Sequence, residues 1–128
     1  PNVQATAAIP AASDWEIPCM IKITALYRWH EGARFDHDYY HGEHMRIARE
    51  ALGPLGLVRL ESDRVMYPGP PRPGQVVALT NAFFETVEQA QAAAQKTAPV
   101  LTADVPNYTD IKPESYMARM KAHPLGDS

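Results

Sequence analysis

Three histidines fall within a short stretch of the chain: His37, His41 and His44, in the run His37-Asp38-Tyr39-Tyr40-His41-Gly42-Glu43-His44. Imidazole is the side chain whose ordinary pKa lets it take up or release a proton near neutral pH. The spacing i, i+4, i+7 places all three toward one side of a helix. Three imidazoles are also a zinc ligand set. The run is not the His-Glu-x-x-His of zinc proteases, however. His37 and His41 stand near the start of the expected helix, where solvated histidines are common, so no metal is expected. With Tyr40 at zero on a wheel of about 100° per residue, His44 falls near 40°, Ile47 near -20°, Ala51 near 20° and Ala48 near 80°. That puts His44 in the middle of the stripe facing the core. A partly desolvated histidine there can serve as a neutral base. The alternative is a core histidine bonded to a backbone carbonyl.

Other polar groups can complete such a site. Tyr39, Tyr40 and Tyr108 carry hydroxyls that either orient a substrate or satisfy a core hydrogen bond. Asp104 precedes a Pro-Asn-Tyr turn and can pair with a histidine or cap that turn. Arg28 and Arg34 flank the first loop and can hold a carboxylate or simply be solvated. No glycine-rich phosphate loop, dinucleotide fingerprint or nucleophile elbow is present.

These residues need elements to hold them. Met20 to Trp29 alternates, with Ile21, Ile23, Ala25, Tyr27 and Trp29 on one face, and is expected to be a strand. Asp36 is a helix N-cap with Asp38 in the first turn. Phe35 and Tyr40 are placed to staple that end. Gly53-Pro54 stops the helix, so it should span His37 to Leu52. Leu57 to Asp63 is a short strand. Pro68-Gly69-Pro70-Pro71-Arg72-Pro73-Gly74 is either a stiff connector or a polyproline ligand, the connector being the more frequent. Gln75 to Phe84 is the third strand. Thr86-Val87-Glu88-Gln89 is a capping box opening an alanine-rich helix, which Pro99 kinks or restarts. Asp104 to Lys112 is a loop, and Glu114 to Met120 the last strand.

The order β-α-β-β-α-β predicts an α+β, ferredoxin-like domain with a four-stranded antiparallel sheet and both helices on one face. Strand three is apolar on both sides, with Val77, Leu79 and Phe83 opposite Val76, Ala78, Ala82 and Phe84. A face without helices then needs another sheet, and the simplest donor is an identical subunit.

Composition narrows the partners. The chain has 128 residues, which fits one domain, and Lys plus Arg number 12 against 15 acidic residues. A formal charge of -3 with no basic run argues against nucleic acid. No stretch is apolar for long enough to cross a membrane. The single cysteine, Cys19, leaves no internal disulfide and no cysteine zinc site. Residues 1–19 carry no helical or strand period and no intact signal peptide, and read as an N-terminal extension. The domain is placed at residues 20–121 and a polar tail at 122–128. A cytoplasmic location is the default expectation.

Two segments together resemble a known family. One is Glu31-Gly32-Ala33-Arg34-Phe35-Asp36, followed by Asp38-Tyr39-Tyr40 and His44. The other is Asp104-Val105-Pro106-Asn107-Tyr108-Thr109-Asp110 with Pro113. Over about Met20 to Arg119 the chain resembles the EthD family, named from a cluster for ethyl tert-butyl ether degradation. The resemblance implies a dimeric α/β barrel with a pocket between each protomer's sheet and helices. It carries over Phe35, Asp36, Tyr40, His44, Asp104, Asn107 and Tyr108, but not His30, His37 or His41.

On this basis His44, Tyr40 and Asp104 are the expected catalytic residues. Phe35, Asn107, Tyr108, Tyr27 and Ile47 are the expected substrate contacts, with no cofactor. The expected function is proton abstraction from a small enolisable or phenolic metabolite, as in an isomerase, cyclase, decarboxylase or cofactor-free monooxygenase. His44 takes the proton, and Tyr40 or Asn107 holds the oxyanion. The competing expectation is an accessory protein that binds an apolar ligand, or only its own partner, without turnover.

Overall fold

The computed structural model describes residues 20–126. The proposed extension, with Trp15, Ile17 and Cys19, lies outside the described residues.

Strand β1, Ile21–Arg28, is central. Its alternating Ile21, Ile23, Ala25 and Tyr27 face the helices. The other strands are β2, Arg59–Arg64, β3, Val76–Phe84, and β4, Glu114–Arg119. The sheet order is β2-β3-β1-β4, and every pairing is antiparallel. This is the expected ferredoxin-like arrangement. The proline-rich run connects β2 to β3. It is pinned where Gly74, at a φ of 91°, donates to the Trp29 carbonyl at 2.7 Å. Such a φ favours glycine.

Helix α1 begins as expected. Asp36 accepts from the Tyr39 amide at 3.0 Å, and the Phe35 ring packs edge-on against Tyr40. The helix is not uniform, however. It runs from His37–Tyr39 through a π-helical segment, Tyr40–His44, to an α-helical segment, Met45–Leu52. The left-handed residue that ends it is Gly56, after a 3₁₀ turn, rather than Gly53.

Helix α2, Val87–Asp104, opens on the expected cap, with Thr86 accepting from the Gln89 amide at 3.1 Å. It does not restart at Pro99, which lies inside one continuous helix. Proline removes a single backbone donor there. The buried face of Ala90, Ala93 and Thr97 before it and the buried Asp104 after it hold the helix on both sides. Asp104 is therefore the last helical residue, not the first of a loop, and the 3₁₀ turn Val105–Asn107 follows.

The core forms two adjoining clusters. One joins Ile21, Phe84 and Ala82 of the sheet to Ala48, Leu52, Ala90 and Ala93 of the helices. The other gathers Tyr27, Tyr40, Met45, Tyr108 and Ile111. On the helix-free side the pattern is more mixed than two-sided apolarity suggests. Thr24 donates to Asn81 at 2.6 Å, and the Arg59 guanidinium stands 5.6 Å from the Phe83 ring centre. No helix of the described residues is long and apolar enough to cross a membrane.

Candidate functional site

The π-helical segment sets the geometry of the site. Its i→i+5 bonding takes one residue more per turn than an α-helix, so it behaves as a one-residue insertion. Downstream, each position on the wheel passes to the next residue. Ala48 takes the inward place expected for Ile47, and Leu52 that expected for Ala51. Ala48 and Leu52 are buried, while Ile47 and Ala51 are only half-buried. Ile47 does not line the cavity described below, so the expected contact from Ile47 is replaced by Ala48. Tyr40 and His44 stay inward because they bracket the inserted turn.

His44 meets Asp104 from the end of α2. The imidazole Nδ1 lies 2.8 Å from the carboxylate Oδ2, and His44 and Asp104 are 6% and 8% exposed. A carboxylate can only accept, so Nδ1 carries a proton, and in the neutral ring the lone pair is then on Nε2. The other carboxylate oxygen, Oδ1, accepts from the Tyr39 hydroxyl at 2.8 Å and from the Asn107 amide at 2.9 Å. Burial alone would raise the Asp104 pKa. The hydrogen bonds from His44, Asn107 and Tyr39 outweigh it and hold the carboxyl below its ordinary value.

Beyond Nε2 runs a row of hydroxyls. The Tyr108 hydroxyl lies 3.4 Å from Nε2 and 2.5 Å from the Tyr27 hydroxyl. The Tyr40 hydroxyl is bonded to Thr80. The rings of Phe35, Tyr27, Tyr40 and Tyr108 pack edge-on or tilted, with centroids 5.0 to 5.8 Å apart. Burial pushes the phenols of Tyr27, Tyr40 and Tyr108 above their ordinary value, so they remain protonated donors.

Beside this network lies a cavity of about 350 Å³ between the helices and the sheet. It exists because the facing side chains are short: Ala25 and Ala82 on the sheet, Ala48 on α1, and Ala94 and Ala98 on α2. Tyr27, Tyr40, His44 and Thr80 bring polar groups to its wall. Of the expected substrate contacts, Tyr27 lines the cavity. Phe35, Asn107 and Tyr108 stand behind the wall, and Asp104 is reached through His44.

Thr80 and Met45 were missed in the sequence. The signal available for Thr80 was a lone hydroxyl among Ala78, Ala82 and Phe84 on the helix-facing side of β3. Met45 reaches the wall only because of the inserted turn.

His37 and His41 take no part in this cluster. Their rings stack 5.6 Å apart, and His41 Nδ1 lies 2.8 Å from the Ser62 hydroxyl of β2. Burial, then the Arg64 guanidinium, lowers both their pKa values. Among the described residues, no three His, Cys, Asp or Glu side chains converge as a metal site would require.

No family model matches the chain, and no curated protein does. Solved structures do. An EthD-like protein from Ralstonia eutropha is 29% identical, over 79% of this chain and 91% of that one, with a TM-score of 0.67. An EthD family protein from Bacillus halodurans is 19% identical, over 74% and 96% of the two chains, with a TM-score of 0.49. A Shewanella loihica protein described provisionally as a monooxygenase is 11% identical, over 82% and 97%, with a TM-score of 0.55. The likeness to the Shewanella protein is one of fold alone, and that to the Bacillus protein is no more.

Proposed function

We propose that this chain, which belongs to the EthD family, binds a small enolisable or phenolic metabolite and removes a proton from it with His44 as general base. The observation that carries this reading is His44 on the wall of a largely apolar cavity, paired with the buried Asp104 behind it. Asp104 fixes the tautomer and balances the positive charge that forms on the ring. Asn107 and Tyr39 hold Asp104, which gives Asn107 a positioning role in place of oxyanion binding. The hydroxyls of Tyr40 and Thr80 are the donors for a developing enolate or phenolate oxygen. Isomerisation, cyclisation, decarboxylation and cofactor-free oxygenation all share this first step. The protein acts as a homodimer whose helix-free sheet faces meet, with Tyr116, opposite Thr24 in register and half-exposed in the single chain, at the contact.

A second reading has its own support. The His44 ring already meets a partner at each nitrogen without any ligand, as a purely structural histidine would. The protein is then an accessory that holds an apolar molecule without turnover.

The two separate by experiment. A panel of phenols and 1,3-dicarbonyl compounds is screened by thermal shift, and the binders are followed by NMR for exchange of their acidic hydrogens in deuterated water. His44→Ala should stay folded and lose exchange by on the order of 10²–10⁴-fold. Exchange that is equal in wild type and His44→Ala leaves only the accessory role.

A further inference from the structure

We propose that Tyr27 and Tyr108 relay the proton between a ligand in the cavity and His44, so that the group meeting the ligand is the Tyr27 hydroxyl. This rests on the general-base reading above and specifies its route.

The imidazole is fixed on both sides. Its Nδ1 is committed to Asp104 at 2.8 Å, and its Nε2 points to the Tyr108 hydroxyl. Its face lies nearly parallel to the Tyr40 ring, at 15° and 5.5 Å between centroids. Turning Nε2 into the cavity would break the bond to Asp104 and leave a buried carboxylate oxygen short of a donor, which is costly. Tyr108 is itself 0% exposed and is not on the cavity wall, so it cannot meet a ligand. Tyr27 can: it lines the cavity, and its hydroxyl is 2.5 Å from that of Tyr108.

The bonding pattern gives each group a defined role. Nε2 accepts from Tyr108, and Tyr108 accepts from Tyr27, which leaves the Tyr27 oxygen a lone pair for an incoming proton. In the transfer, the O–H or C–H bond of the ligand breaks and its proton bonds to the Tyr27 oxygen. The proton of Tyr27 passes to Tyr108, and that of Tyr108 to Nε2. The electron pair stays on the ligand as a phenolate or enolate. Both phenols end neutral, and the positive charge rests on His44 beside Asp104. Burial holds both phenols above their ordinary pKa, which suits hydroxyls that pass protons without ionising. The longest link, 3.4 Å, is of the kind that tightens once ligand binds.

The test uses 4-nitrophenol, whose absorbance reports its own ionisation, at a pH where the free probe is mostly protonated. In wild type, bound probe should absorb as phenolate, and the ¹⁵N shift of His44 Nε2 should report protonation. After a rapid pH jump, phenolate on bound probe and the proton on His44 should appear about tenfold or more slowly in Tyr27→Phe and in Tyr108→Phe than in wild type, because the relay sets the rate of transfer and not its end state. A rate of phenolate formation in Tyr108→Phe equal to wild type overturns the relay and leaves the general-base reading intact. Phenolate in His44→Ala equal to wild type, or none in wild type, overturns both. Should Tyr108→Phe fail to fold, 3-fluorotyrosine at position 108 decides. It keeps the shape and acidifies the hydroxyl, so it should change the rate at which bound probe ionises, and an unchanged rate overturns the relay.

Discussion

Asn107 donates its side-chain amide to Oδ1 of Asp104 at 2.9 Å, from only three residues further along the chain. The bond folds the end of α2 back on itself and fixes the carboxylate that orients His44. Asn107→Ala should therefore weaken the site without touching the cavity. A hydrogen bond to a charged group is worth about 1.5–3 kcal/mol. A thermal melt should show a loss toward the lower end of that range, because Tyr39 still holds the same oxygen. Proton abstraction should fall less than in His44→Ala.

Asp104 gives a pH signature. Its pKa is depressed in the folded state, so its contribution to stability is present above the unfolded value of about 3.9. That contribution is lost as pH falls through the lower, folded value. Urea melts of wild type and Asp104→Asn should differ most at neutral pH and converge in acid. A gap that stays constant down to the acid limit contradicts the pairing.

The stacked histidines act in a different window. His37 and His41 have pKa values lowered by burial and by Arg64. The unfolded chain then binds protons more readily just below the ordinary value of about 6.5. Wild type should lose stability as pH falls through that value toward the folded ones. The double variant His37→Gln, His41→Gln should lose less over the same range, as read by melting temperature against pH.

The π-helical turn can be checked by neighbouring substitutions. Ala48→Leu should fold, fill part of the cavity and abolish ligand binding, because Ala48 is on the wall. Ile47→Ala should change ligand affinity by no more than about 0.5 kcal/mol, as expected away from the site. Calorimetry with any ligand found by the screen measures both. The reverse order of sensitivity would restore the ordinary helical wheel.

The assembly is tested by light scattering at micromolar concentration. A homodimer should give close to twice the 14.2 kDa of one chain. Tyr116→Glu, on the helix-free face and half-exposed in the single chain, should drive it toward the monomer.

Much of this was readable because it follows from local rules. The caps at Asp36 and Thr86 and the alternation of β1 each carry their own signal in a few residues. His44 and Asp104 were both legible as candidates, since a histidine on an apolar stripe and an acid before a proline turn are visible in one dimension. What was not legible is the inserted residue in α1. Nothing in Tyr40-His41-Gly42-Glu43-His44 distinguishes a π turn from an α turn, so Ile47 was favoured where Ala48 belongs. The cavity was hidden for a related reason. Ala25, Ala48, Ala82, Ala94 and Ala98 read as ordinary small residues until their elements are stacked, and only then do five missing side chains add up to one space.

The position of β1 between β3 and β4 bears on how the protein is made. A ribosome releases β1 first of the strands, yet its two neighbours are Val76–Phe84 and Glu114–Arg119. During synthesis this apolar strand has no partner on one edge until Phe84 has emerged, and none on the other until Arg119 has. Pairings so distant in sequence are slow to form. The nascent chain is thus most exposed to aggregation early and safe only late. His44 likewise waits through sixty residues of translation for Asp104, so a stalled or shortened product ending before α2 is complete would carry the imidazole without the carboxylate that orients it.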